Sequence, residues 1–367
     1  MGRKIAVVLF NLGGPDGPDA VQPFLRNLFD DPAIIQAPLP IRWALARFIS
    51  KTRAPSAKKN YALMGSGGGS PLLPETEKQA EALQIELAAS LPGDEVRTFI
   101  AMRYWHPFTK DAARAVKDWG ADEVVLLPLY PQFSTTTTGS SLTEWKKHYA
   151  GPTRTVCCYP YEEGFIAAHV DQIMAAFDQA GRPSDVSLLL SAHGLPEKIV
   201  AAGDPYQWQC ETLVAMIAAR VPQDWDVVGC YQSRVGPLKW IGPSTDEEVE
   251  RASKEKRNIL IAPIAFVSEH IETLVELGEE YKLLAEQHGS SSYTRVEALG
   301  VHPGFIRTLA GETLAALDMT ETIRSCAGSR LCPTGASGCP HADVARSRQG
   351  CKRIGLGTGG SDAVSLG

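Results

Sequence analysis

Residues 258–281, NILIAPIAFVSEHIETLVELGEEY, change character halfway along. Residues 259–267 form an apolar, β-branched run interrupted by Pro263, the pattern of a buried strand. Ser268 then offers an N-cap, and helical periodicity follows. Ile271, Leu274 and Val275 make an apolar face, while Glu269, Glu272, Glu276 and Glu280 share the other at steps of three and four. A line of carboxylates, with His270 in its first turn, therefore begins where a buried strand hands over to a helix. In open α/β sheets that carboxyl end of the strands is where ligands bind. Acids also suit a helix N-terminus and a solvated face, so the stripe alone decides little. A second apolar strand adds weight: residues 186–190 run straight into Ser191-Ala192-His193-Gly194, which puts a histidine at the carboxyl end of a central strand.

Outward from there, the same alternation of apolar runs and helical segments repeats. Strands are expected at 5–12, 96–104, 123–129 and 154–159, then at 185–192, 226–231, 259–267 and 293–298. A helical pattern over 161–180 followed by Gly181-Arg182-Pro183 forms a joint. The pattern predicts an α/β protein of two Rossmann-like, doubly wound parallel-sheet domains with a cleft between them. The expected divisions are 1–165, 166–320 and a cysteine-rich tail, 321–367. With 367 residues, 44% of them hydrophobic, the chain can bury two ordinary cores. Thirty-six basic against forty-two acidic residues, a formal charge of -6, argue against nucleic acid as a partner. No apolar run reaches membrane-span length, and the run 5–10 behind Met1-Gly2-Arg3-Lys4 is too short for a secretory signal. The expected compartment is the cytoplasm, where eight cysteines are reduced or metal-bound rather than disulfide-paired.

Each strand of the first half ends in polar or aromatic loop chemistry. The segments are Asn11-Leu12-Gly13-Gly14-Pro15, Met102-Arg103-Tyr104-Trp105-His106-Pro107, and Tyr130-Pro131-Gln132-Phe133 with the hydroxyl run 134–138. Several such loops leaving one sheet edge suggest a lined pocket. GCYQSRVGPLKWIGP, 229–243, presents Gln232, Ser233 and Trp240, the last suited to stack on a planar ligand. APLPIRWALARF, 37–48, read as a helix from Pro40, places Ile41, Leu45 and Phe48 near one face. It is either a core helix or an amphipathic lip for a membrane or a flat apolar ligand. YALMGSGGGSP, 61–71, lacks the lysine and spacing of a phosphate-binding loop and reads as a flexible connection.

The motifs together resemble the ferrochelatase family, in chain order from about residue 5 to about 315. NLGGP (11–15), GGGSP (67–71), RYWHP (103–107) and YPQFSTTTTGSS (130–141) carry the first half of the resemblance. SAHGLP (191–196), YQSRVGPLKWIGPSTDE (231–247) and PIAFVSEHIETLVELGEEY (263–281) carry the second. The resemblance implies insertion of ferrous iron into protoporphyrin IX to form protohaem, with porphyrin and Fe2+ as substrates. It implies His193 as the essential base or metal-handling histidine and Glu272 as its carboxylate partner, with His270, Glu276 and Glu269 along an acidic path. Leu12, Arg103, Tyr104 and Trp240 would line the macrocycle pocket, with Ser70 and Ser233 near the propionates. Segment 40–48 matches the family's apolar lip, which implies peripheral contact at the inner face of the cell membrane. The oligomeric state stays open, a homodimer included. Alternatives are coproporphyrin as substrate, a cobalt or nickel chelatase of a related tetrapyrrole, and a noncatalytic carrier. A carrier needs pocket walls but no proton acceptor, so the His193 and Glu272 pair argues against it.

Animal members carry a [2Fe–2S] cluster on C-terminal cysteines plus one loop cysteine, which corresponds to Thr135 here. In this chain Cys326, Cys332 and Cys339 are separated by five and six residues, and Cys351 follows after eleven more. Structural zinc sites begin with a closer pair, and a cytosolic tail is a poor disulfide framework. Thiolate ligation of a [2Fe–2S] cluster tolerates the spacing. Its fourth ligand is Cys351 or one of Cys157 and Cys158. Strand alternation allows only one of that pair to face the tail. Cys158 is the choice, since it would pin the tail to the first domain; Cys210 and Cys230 read as ordinary buried thiols.

Overall fold

Nine parallel-paired strands carry the chain in a computed structural model that describes residues 2–64, 67–234, 236 and 238–341. They are β1 (Lys4–Asn11), β2 (Glu95–Met102), β3 (Glu123–Pro128), β4 (Arg154–Cys158), β5 (Val186–His193), β6 (Asp226–Gln232), β7 (Asn258–Pro263), β8 (Ser292–Arg295) and β9 (Ile323–Ser325). One sheet has the order β2-β1-β3-β4-β9 and the other β6-β5-β7-β8. All eight expected strands form. β9 was not anticipated: three residues with an arginine at the centre give no period to read. It returns the chain, after the whole second sheet, to the edge of the first. The helix Glu163–Gln179 lies where the 161–180 pattern puts one, and the 165/166 division falls inside it.

In both sheets the strand order reverses beside the first strand, so β1/β3 and β5/β7 flank the two switch points at which ligands bind in this architecture. The apolar runs pack into a single core that passes through both sheets, from Ile5, Leu9 and Leu127 through Phe165 and Phe305 to Leu190 and Leu260. Three buried glutamines join the sheets at their carboxyl ends. Gln79, in the helix Leu72–Ser90, donates to the carbonyls of Val267 (2.8 Å) and Gly300 (3.0 Å) and accepts from the Ser268 hydroxyl (2.9 Å). Gln132, just past β3, donates to Ile264 just past β7 at 2.9 Å. Gln209, in the helix Tyr206–Ala218, accepts from the Phe133 amide at 2.8 Å.

That network corrects one expectation. Ser268 does not cap a helix, because its hydroxyl is already committed to Gln79. Residues 268–270 stay irregular, and the carboxylate-bearing segment Glu272–Glu280 is a nine-residue π-helix continuing into the α-helix Tyr281–Gln287. Segment 37–48 is likewise not a core helix. It opens the 25-residue helix Leu39–Leu63, in which Ile41 is 55% and Phe48 67% exposed, with Trp43 and Leu45 beside them. Arg47 covers the Trp43 ring at 4.3 Å, and Arg42 is tied to the carbonyls of Asp30 and Ala37. No helix among the described residues is long and apolar enough to cross a membrane.

Gln79→Ala leaves two buried carbonyls and a hydroxyl unpaired, which is expected to lower unfolding free energy by about 3 kcal/mol. Urea denaturation followed by circular dichroism measures it; a loss under about 0.5 kcal/mol would show that water replaces the amide.

Candidate active site

β5 and β7 are neighbours, with Ser191 opposite Pro263, so the end of one and the exit from the other deliver their side chains to the same place. His193, the last residue of β5, sits with Nδ1 2.6 Å from the Gly194 carbonyl. A carbonyl only accepts, so Nδ1 carries the hydrogen and the Nε2 lone pair is left facing Glu272 Oε1 at 3.6 Å. The other Glu272 oxygen lies 2.9 Å from His270 Nε2, and His270 Nδ1 lies 3.2 Å from the Ser268 carbonyl. His270 thus stands between two acceptors and shares a proton with Glu272. Phe266 packs against both imidazoles, its centroid 6.3 Å from His193 and 4.3 Å from His270. Burial pushes the Glu272 carboxyl up, but the charge that His193 carries once Nε2 takes up a proton, together with the His270 hydrogen bond, outweighs it and holds it below the ordinary range.

Glu276 has the opposite environment. Burial, then the charge of Glu272, push its carboxyl up, against the Ser233 hydrogen bond and His193. It accepts from the Ser233 amide (2.8 Å) and hydroxyl (2.5 Å), Gln232 Nε2 (3.3 Å) and the Tyr281 hydroxyl (3.0 Å). Ser233 reaches it from the left-handed region, φ 64°. Trp240 packs on Gly194: a Cβ there would lie 3.2 Å from its ring and 3.0 Å from the Gln232 carbonyl, so any side chain would crowd the indole beside His193.

The first sheet supplies the other groups. Arg103 and Tyr104, beyond β2, pair their amides with the carbonyls of Asn11 and Leu12 at the end of β1. The Arg103 guanidinium bonds Asp31 (2.8 Å) and Ser140 (2.8 Å) and covers the Tyr104 ring at 4.9 Å. Tyr104 is 1% exposed, and its hydroxyl donates to Asp31 at 2.7 Å. Ser140 donates to the same carboxylate. Ser70 accepts the Leu72 amide and sits where a Cβ on Gly14 would come within 2.5 Å. Asp31, the buried hub of this group, escaped sequence reading because it follows a helix and not a strand. Tyr61 did too; it lies in the last turn of the helix Leu39–Leu63, and burial and then the Glu272 charge push its hydroxyl up.

The cysteines gather at the edge of the first sheet. Gln209 Nε2 lies 3.1 Å from Cys332 Sγ and 3.6 Å from Cys158 Sγ. Cys339 is hydrogen-bonded by Cys332, which draws its thiol down to about 7. The Cys326 amide donates to the Cys158 carbonyl at 3.0 Å. The alternation argument for Cys157 and Cys158 fails: their sulfurs lie 3.5 Å apart, because the β4/β9 register slips between Val156 and Cys158. Cys351 lies outside the described residues. Cys210 and Cys230 are buried, as expected. Among the described residues no three His, Cys, Asp or Glu side chains converge as ligands of one ion.

The family model described as Ferrochelatase matches residues 4–316. The chain is 74% identical to the ferrochelatase of Hyphomonas neptunium over 344 residues, 94% of this chain and 96% of that one. It is 59% identical to the ferrochelatase of Caulobacter vibrioides over 343 residues, 93% and 98% of the two. Among solved structures, SirB from Bacillus subtilis with Fe3+ superposes with a TM-score of 0.51 at 11% identity. That match covers 86% of this chain and 96% of SirB, a likeness of fold alone.

Glu269 leaves the acidic path. Its carboxylate accepts from Arg295 (2.8 Å), the Ala298 amide (2.9 Å) and the Thr273 hydroxyl (2.5 Å). Burial pushes it up, but Arg295 and these hydrogen bonds hold it below its ordinary 4.5. A depressed carboxyl stabilises the fold above the unfolded value and ceases to as pH falls through the folded one. Glu269→Gln is therefore expected to cost about 2 kcal/mol at pH 7, with the gap to wild type closing as pH falls through the depressed value of the folded carboxyl. Thermal melts across that range decide it, and a gap independent of pH would reject the ion-pair account.

Proposed function

The chain belongs to the ferrochelatase family, and from that premise we propose that it inserts ferrous iron into protoporphyrin IX to give protohaem, the terminal step of haem biosynthesis. The observation that carries the chemistry is Glu272 held between two histidines at the β5/β7 switch point. Insertion places one divalent cation in the ring and releases two pyrrole protons, so charge balances while two protons need acceptors. His193 Nε2, its tautomer fixed by the Gly194 carbonyl, takes a proton from the ring, and Glu272 stands ready to relay it. Glu276, with its carboxyl pushed up by burial and by Glu272, is the next acceptor along the π-helix. The path thus runs from an ionised carboxylate to one that holds protons more tightly.

Leu12, Arg103 and Trp240 would line the macrocycle, with Ser70 toward the propionates, whereas the Ser233 amide and hydroxyl are both given to Glu276. Asp31 holds Arg103 in place, and Tyr104 backs it from beneath, its own hydroxyl being committed. The exposed face of Ile41, Trp43, Leu45 and Phe48, with Arg47 across Trp43, suits peripheral contact with a lipid surface.

The gathered cysteines fit a [2Fe–2S] cluster. A two-iron cluster asks for two pairs of ligands and not for three groups around one ion. Cys158 and Cys332 meet at the amide of Gln209, and Cys339 packs with Cys332 in a buried cluster. When bound, the cluster supplies a one-electron centre there. These residues would hold it and so tie the tail to β4.

His193→Ala and Glu272→Gln are each expected to lower turnover by about 100-fold or more, and the double variant by little beyond the worse single. Porphyrin binding, followed by quenching of tryptophan fluorescence, should persist. Metallation followed by the porphyrin absorbance bands tests this, and near-normal turnover in His193→Ala would reject the assignment. For the lip, replacing Ile41 and Leu45 together by serine should reduce co-sedimentation with anionic vesicles while changing stability by less than about 0.5 kcal/mol. A large fall in melting temperature would instead return those residues to the core.

A further inference from the structure

We infer that His341 is the fourth ligand of this cluster, completing the set of Cys158, Cys332 and Cys339 in place of the Cys326 expected from sequence. The inference rests on the cluster proposed above and concerns which side chains hold it.

His341 is 4% exposed, two residues past Cys339 in the run Cys339-Pro340-His341. Its Nε2 is buried and meets no hydrogen-bond partner among the described residues. Its ring is nevertheless hydrogen-bonded to the backbone of Arg324. With Nε2 without a partner, that bond belongs to Nδ1. The Arg324 carbonyl can only accept, so the hydrogen sits on Nδ1 and the lone pair on Nε2. A buried imidazole with one nitrogen fixed by a carbonyl and the other left open is the arrangement of a metal-ligating histidine. Without a ligand, the same arrangement is a buried acceptor left unsatisfied at a cost in stability.

The surroundings bring this nitrogen's residue to the cysteines from two directions. The His341 amide is hydrogen-bonded to the Cys339 sulfur, so the imidazole grows from the turn that presents that ligand. Arg324, which holds the ring, lies in β9, and its neighbour Ser325 is paired with Cys158 in β4. The histidine is thus anchored both to the Cys339 turn and to the strand beside Cys158. Cys326 is placed differently. Its sulfur already accepts the Tyr161 amide and has the carboxylates of Glu312 and Glu162 nearby, company that opposes another negative ligand. Replacing one thiolate by a neutral imidazole removes a negative charge from the cluster and raises its reduction potential.

The test uses the full chain purified without oxygen. Wild type should contain two irons and two acid-labile sulfides per chain. After reduction with dithionite, pulsed electron paramagnetic resonance should show the strong nitrogen hyperfine coupling of a directly bound imidazole. His341→Cys should keep the cluster, lose that coupling and titrate at a lower midpoint potential. His341→Ala should lose most of its iron, whereas Cys326→Ser and Cys351→Ser should keep both iron and coupling. Wild-type protein without iron and sulfide would overturn the cluster itself. A wild-type cluster lacking the nitrogen coupling, or coupling unchanged in His341→Cys, would overturn only the assignment of His341. So would loss of the cluster in Cys326→Ser or Cys351→Ser while His341→Ala retains it.

Discussion

The separation of the two sheets is set by three uncharged amides buried between them. Gln79, Gln132 and Gln209 reach across from helices and strand ends to backbone groups on the opposite side. Apolar contact, which fills the shared core, is non-directional and would tolerate sliding. A carboxamide bonded to named carbonyls and amides does not, and it is buried without the desolvation of an ion pair. Since Gln79 and Gln132 grip residues 264–268 and Gly300, they also fix the loop from which His270 and Glu272 project. Cleft width and acid–base geometry therefore share one set of hydrogen bonds.

Within that frame, Glu272 and Glu276 are treated oppositely by the same fold. Two carboxylates four residues apart would normally titrate alike. Here one is flanked by two imidazoles, while the other is buried among hydroxyl and amide donors and feels its neighbour's charge. A π-helix of nine residues is long for a geometry found mostly as single-turn bulges at functional sites. Its wider turn holds both carboxylates on the side facing β5 and β6.

The strands were legible because each is a nearly continuous apolar run, and His193 and Glu272 were legible because such runs end on them. What failed did so where a distant residue took over a local group. Ser268 has the chemistry of a cap, but Gln79, 189 residues away in sequence, claims its hydroxyl. Glu269 continues the acidic spacing, yet Arg295 turns it aside. Cys157 and Cys158 obey alternation until the slip in register beside β9, a strand too short to be seen. Asp31 and Gln209 carry no motif, since their significance lies wholly in what folds against them.

The late return of β9 to the first sheet has a bearing on how the protein is made. Synthesis runs from the N-terminus, and β1 to β4 can pair as soon as they emerge. The outer edge of β4, with Cys157 and Cys158 on it, stays uncovered while the entire second sheet is translated, because its neighbour is residues 323–325. The nascent chain therefore presents an open strand edge and two adjacent thiols to the cytosol while residues 159–322 are being added. Only the last stretch of translation closes the seam.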